Sequence, residues 1–95
     1  LLTAYGIRTR LERCDDHASA RAAEIAVERV AAGEVVALVS DAGTPMVSDP
    51  GFVVARAVIA AGLPVHPIPG ASSLLAALVL SGLPADRVTF VGLLP

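Results

Sequence analysis

Three short apolar runs, EVVALVS (34–40), VHPIP (65–69) and VTFVG (88–92), alternate with three longer segments of helical character, and glycine or proline punctuates nearly every junction. No other feature of the chain constrains its fold as strongly. HASARAAEIAVERVAAG, residues 17–33, carries Ala23, Ala26, Val27 and Val30 at i, i+3, i+4 and i+7, while Arg21, Glu24 and Glu28 line another face. Asp15 or Asp16 can cap this helix and Gly33 can end it, so it is expected to pack on one side only. EVVALVS is continuous rather than alternating, which is how a strand buried on both faces of a parallel sheet reads. Asp49 and Pro50 then read as an N-cap followed by proline at the first helical position, with Gly62, Leu63 and Pro64 as the stop. The helix between them is apolar around most of its girth, Arg56 being its one charge, and is expected to be enclosed or paired with another surface. Pro67 removes a ladder donor from VHPIP, which predicts an edge position. ASSLLAALVLSG, starting at Ala71 or Ser72 and stopping at Gly82, predicts a third helix. The order gives two βαβ units with right-handed crossovers, so the expected fold is α/β: a mostly parallel sheet with flanking helices.

At 95 residues, 55% hydrophobic and 3% aromatic, the chain suits one small packed unit rather than a disordered or fibrous one. No apolar stretch reaches the ~18 residues of a membrane helix, because Arg56, His66 and the Gly/Pro breaks interrupt every candidate. The single Cys14 fits a reducing, cytoplasmic location. Seven arginines, no lysine and nine acids leave a net charge of −2 without a block of one sign, so a surface for RNA is expected to lie mainly outside this stretch. LLTAYGIRTR opens in mid-pattern without Met, which predicts a piece of something longer.

Chemistry is concentrated in two loops at the ends of the first two expected strands, where open α/β sheets bind ligands. Ser40-Asp41-Ala42-Gly43-Thr44-Pro45 and Pro69-Gly70-Ala71-Ser72-Ser73 both combine glycines that admit close approach with small hydroxyls that can hydrogen-bond. A phosphate loop usually adds a lysine, whereas Asp41 and Asp49 stand here and would repel a polyphosphate. A neutral or cationic ligand fits better, such as an adenosyl group bearing a sulfonium. Taken alone, either loop reads equally well as a turn and a helix cap; two on one edge favour a ligand site. His66 reads as a strand residue. Cys14-Asp15-Asp16-His17 lacks a second ligand pair, and a helix cap explains its aspartates, so no metal site is expected.

VALVSDAGTPMVSDPGF, then VHPIPGASS, SGLP and FVGLLP, together resemble the tetrapyrrole methylase superfamily of S-adenosylmethionine-dependent methyltransferases. The SDAGTP and SDPG pair is similar to the branch that methylates a cytidine 2′-hydroxyl in 16S rRNA of the small ribosomal subunit. The resemblance implies that residues 1–95 are the central and later part of the first of two domains, with an opening strand before Leu1 and a second domain after Pro95. It implies S-adenosylmethionine as methyl donor, folded in the cleft between the domains, and a homodimer for the full-length protein. The superfamily's Gly-Gly-Asp-Pro loop falls on Ala42, Gly43, Thr44 and Pro45, with threonine in place of the aspartate, and the apolar residue three positions on is Val47. Its Pro-Gly-x-Thr-Ala segment falls on Pro69, Gly70, Ala71, Ser72 and Ser73. Where the rRNA enzymes often carry His-Asn-Glu, Ala18 and Ser19 follow His17, so no role is assigned there. The cofactor-binding set implied is therefore Asp41, Ala42, Gly43, Thr44, Pro45, Val47, Gly70, Ala71, Ser72 and Ser73. Asp41 is a candidate catalytic base by position alone. A precorrin- or diphthine-type methyltransferase, or a non-catalytic nucleotide-binding module, are the alternative readings.

Overall fold

The computed structural model describes residues 2–15, 17–41, 43–47 and 51–92. A single 3-10 turn at Thr3–Tyr5 is followed by three helices, α1 (Ser19–Ala31), α2 (Phe52–Ala60) and α3 (Ser73–Ser81). All three lie where the sequence period places them. Glycine ends each one in the left-handed region. Gly33 (φ +92) follows α1, and the Glu34 N–H reaches back to the Arg29 carbonyl at 3.0 Å. Gly62 (φ +73) follows α2, with the Leu63 N–H on the Val58 carbonyl at 3.1 Å. Both are Schellman closures, which satisfy carbonyls that a helix end otherwise leaves open.

The core is the α1–α2 contact. Ala22, Ala23 and Ala26 of α1 are buried against Val54 and Val58 of α2, with Cys14, Val27, Ala57 and Leu63 packed around them. Three alanines on one stripe let the helix axes approach closely, and the acidic face of α1 stays outside, with Glu24 and Glu28 exposed. Helix α2 is less enclosed than expected. Val54, Ala55 and Val58 are buried, whereas Phe52, Val53, Arg56 and Ile59 face solvent. The Arg56 guanidinium stacks over the Phe52 ring one turn away, 5.7 Å from its centroid, which gives part of this apolar outer face a cationic cover.

The expected parallel sheet is not formed: the described residues contain three α-helices and no strand. Residues 34–40, 65–69 and 88–92 make no cross-strand hydrogen bonds among the described residues. Val35 is 98% and Ile68 83% exposed, the opposite of burial on two faces. The physical reason is that a continuous apolar run signals a need for burial but not the partner that supplies it, and a strand exists only when a second segment completes its ladder. Helix α3 shares this situation, since it packs against neither other helix and has no buried residue. Asp49 and Pro50, expected to start the second helix, lie outside the described residues; α2 begins at Phe52 with Gly51 at its N-cap.

One contact ties the first apolar run to this core. Gly51 is buried at φ +117, and a Cβ placed there would lie 2.6 Å from Leu38 Cδ2. The left-handed backbone angle favours glycine at this point, and any Cβ there would displace the end of the Leu38 side chain.

Candidate functional site

The first loop is shaped by its own serine. Ser40 Oγ donates to the Gly43 carbonyl at 2.8 Å, closing a short turn around Asp41. Gly43 holds φ +73, and a Cβ there would meet nothing within 4 Å, so the backbone is open to an approaching ligand. Two residues past Thr44, Met46 sits at φ +79, the only described non-glycine residue in the left-handed region. Such a conformation costs of order 1–3 kcal/mol for an ordinary side chain and is characteristic of loops whose shape serves a ligand. Asp41, Gly43, Thr44 and Val47 are exposed and Pro45 is half-buried. Ala42 lies outside the described residues.

The second loop leads into α3. Ser72 is its N-cap, with extended backbone (φ −134, ψ 120) and an Oγ that accepts from the Leu75 N–H at 3.4 Å. That bond uses an acceptor site and leaves the hydroxyl proton able to donate elsewhere. The first-turn N–H groups of α3 point toward the Gly70–Ser73 loop, where the helix dipole favours negative charge. A Cβ on Gly70 would also meet nothing within 4 Å. Gly70, Ala71, Ser72 and Ser73 are all exposed.

Both loops present a glycine with open space beside it, and in the second the Ser72 hydroxyl keeps a proton to donate. The two carry complementary polarity: an exposed carboxylate at Asp41 in one, a helix N-terminus in the other. A separate shallow groove of about 420 Å³, lined by Ala23, Glu24, Val27, Glu28 and Ala57, lies on the α1–α2 face and includes none of the loop residues.

Around Cys14 the structure shows a turn. Asp15 Oδ1 accepts from the N–H groups of His17 (3.0 Å) and Ala18 (2.9 Å), and its other oxygen pairs with Arg13 Nε. Partial burial pushes the Asp15 carboxyl up, but the Ala18 N–H, the hydrogen bond and charge of Arg13 and the His17 N–H together hold it below the ordinary value of 3.8. No group of three or more His, Cys, Asp or Glu side chains comes together among the described residues. Met46 and the Leu38–Gly51 contact are the features that sequence reasoning missed. The glycine of SDPG signalled the second; nothing about a methionine signals a left-handed backbone.

The loops, their order and the helices that carry them define a class. Residues 3–94 match the family model for tetrapyrrole (corrin/porphyrin) methylases, and the chain belongs to that family. Among curated relatives, ribosomal RNA small subunit methyltransferase I of Xylella fastidiosa (strain Temecula1) is 52% identical over the whole chain, which covers 35% of that protein. The proteins of the same name from Pseudomonas aeruginosa and Escherichia coli O157:H7 are 46% and 42% identical, again over the whole chain and over 34% and 33% of their own lengths. The chain therefore spans about a third of the length of these relatives.

Proposed function

We propose that the protein containing this chain is an S-adenosylmethionine-dependent methyltransferase that modifies a cytidine 2′-hydroxyl in 16S rRNA of the small ribosomal subunit. The observation that carries this reading is the 52% identity, over all 95 residues, to a relative named ribosomal RNA small subunit methyltransferase I. In this reading the chain is part of the first of two domains and forms one wall of the cofactor cleft. Asp41, Ala42, Gly43, Thr44, Pro45 and Val47 form one side of that wall and Gly70, Ala71, Ser72 and Ser73 the other. The exposed Asp41 carboxylate faces the cationic centre, and the α3 N-terminus with Ser72 and Ser73 receives the carboxylate end. The cofactor supplies an electrophilic methyl group; these residues orient it and help exclude water, which is most of what an in-line displacement asks of a protein. Asp41 is also the candidate to accept the ribose hydroxyl proton. The protein acts in the cytoplasm as a homodimer.

The test uses the full-length protein, labelled S-adenosylmethionine and small subunits from a strain lacking the modification. Label is expected at a cytidine ribose, at a rate that falls steeply with salt, and not in a precorrin. Gly43→Val is expected to lower S-adenosylhomocysteine affinity at least about tenfold, because its side chain fills the open approach and shifts a left-handed backbone, while the exposure of the loop keeps the loss of melting temperature far smaller than the loss of affinity. Label in the tetrapyrrole and not in RNA would replace the rRNA reading with the precorrin one. Undiminished affinity in Gly43→Val would show that the loop is only a turn.

A further inference from the structure

The stretch Leu2–Asp15 belongs to neither glycine loop. Its first turn is well closed: the N–H groups of Tyr5 and Ile7 both reach the Leu2 carbonyl, at 3.1 and 2.9 Å, and Gly6 turns the chain at φ +68. Tyr5 is thereby held outward on a fixed turn, 76% exposed. Arg8, Arg10 and Arg13 follow within six residues, against Glu12 as the one acid between Leu2 and Arg13. Arg10 pairs with Glu12 at 2.8 Å and Arg13 with Asp15, each two residues further on. The Arg10 and Arg13 side chains are 70% and 79% exposed, so these pairs contribute little and a phosphate can displace the carboxylate. Arg8 has no ion-pair partner among the described residues.

We infer that Tyr5, Arg8 and Arg10 form a contact strip for single-stranded RNA, with a base stacked on the Tyr5 ring and the adjacent phosphates held by the two guanidinium groups. An exposed aromatic face beside closely spaced cations is what a strand carrying both flat bases and phosphates requires, whereas an acidic peptide would use the charges and leave the ring idle. Glu12, Asp15 and Asp16 balance Arg8, Arg10 and Arg13 in number, but all three acids follow Arg10, so the segment from Tyr5 to Arg10 carries cations alone. The inference rests on the rRNA reading above and names where this chain holds that substrate. The strip binds; it takes no part in methyl transfer.

Its test compares the full-length wild type with Arg8→Gln/Arg10→Gln, Arg8→Lys/Arg10→Lys, Tyr5→Ala and Tyr5→Phe. Binding of a fluorescein-labelled single-stranded oligoribonucleotide is measured by anisotropy over a salt series, alongside S-adenosylhomocysteine affinity and methylation of small subunits. The Gln pair is expected to weaken oligonucleotide binding at least about tenfold and to make the salt slope shallower by about 1.4, at roughly 0.7 per lost phosphate contact. The Lys pair keeps the slope. Tyr5→Ala loses roughly fivefold or more and Tyr5→Phe retains binding, since stacking needs the ring and not the hydroxyl. KM for subunits rises in the weakened variants while kcat and S-adenosylhomocysteine affinity stay at wild-type values. An unchanged slope and affinity in the Gln pair overturn the strip, as does a polyglutamate peptide that competes as well as unlabelled RNA. Wild-type protein that binds the oligonucleotide through these residues but methylates no subunit removes the rRNA reading and keeps the strip; methylation with unaltered KM in the variants does the reverse.

Discussion

Asp15 shows how one side chain ties the N-terminal stretch to the first helix. Its two oxygens serve Arg13 on one side and the N–H groups of His17 and Ala18 on the other, just ahead of Ser19 where α1 begins. Because its folded-state carboxyl lies below the ordinary value, its contribution is present in full above the unfolded value and is lost as pH falls through the folded one. Asp15→Asn keeps the acceptor oxygen for the two N–H groups but removes the charge. Denaturant midpoints are expected to fall between pH 5 and pH 3 in wild type and to fall less in Asp15→Asn; equal slopes would mean that the carboxyl is not linked to folding. Of this arrangement the sequence showed only that an aspartate stood at the right distance from a helix. It left Asp15 and Asp16 as alternatives, and the structure places Asp15 one turn ahead of the helix, in a local turn instead of at the N-cap itself.

At the level of elements, the helices were readable and the sheet was not, for a single reason. A helix closes its hydrogen bonds within four residues, so the period of Ala23, Ala26, Val27 and Val30 and the stops at Gly33, Gly62 and Gly82 carry nearly all the information it needs. A strand closes them with a segment tens of residues away. EVVALVS therefore announced its appetite for burial but not its neighbour, and its Val35 and Val39 remain exposed here. The small residues of α1 make a sharper statement. Ala26 is 5% exposed against α2, and replacing it with leucine would force three extra heavy atoms into that contact. Ala26→Leu is expected to destabilise the full-length protein by about 1–3 kcal/mol, read as a shift in denaturant midpoint, whereas Ala20→Leu on the exposed face should change it by less than about 0.5 kcal/mol. Similar losses at the two positions would mean that α1 does not meet α2 through this stripe.

For the molecule as a whole, surface area is the telling quantity. The chain exposes 8118 Å² with a radius of gyration of 15.9 Å, against about 5,100 Å² and ~12 Å for a compact domain of this mass. Much of the excess is apolar: Leu75, Val79 and Leu80 on α3, and Val91 near the last described residues, are each more than 60% exposed. A hydrophobic contact built on five small buried side chains does not hold 95 residues in a cooperative fold by itself. The isolated chain is therefore expected to melt without a sharp transition and to bind S-adenosylhomocysteine more weakly than about 1 mM, because one open wall must bear the whole cost of ordering the ligand. Calorimetry on residues 1–95 checks both. A sharp melt with micromolar affinity would mean that the two loops already make a complete site.

The Leu38–Gly51 contact bears on how the first loop meets its ligand. By fixing two points thirteen residues apart in sequence on either side of SDAGTPMVSD, it turns an open segment into a tethered one, and the entropy of chain closure is lost during folding. A ligand arriving at Gly43 then has to restrict only the motion left within the noose. By this logic a side chain at position 51 would loosen the loop's footing without touching anything bound to it, and its effect on affinity would come from a longer, freer tether.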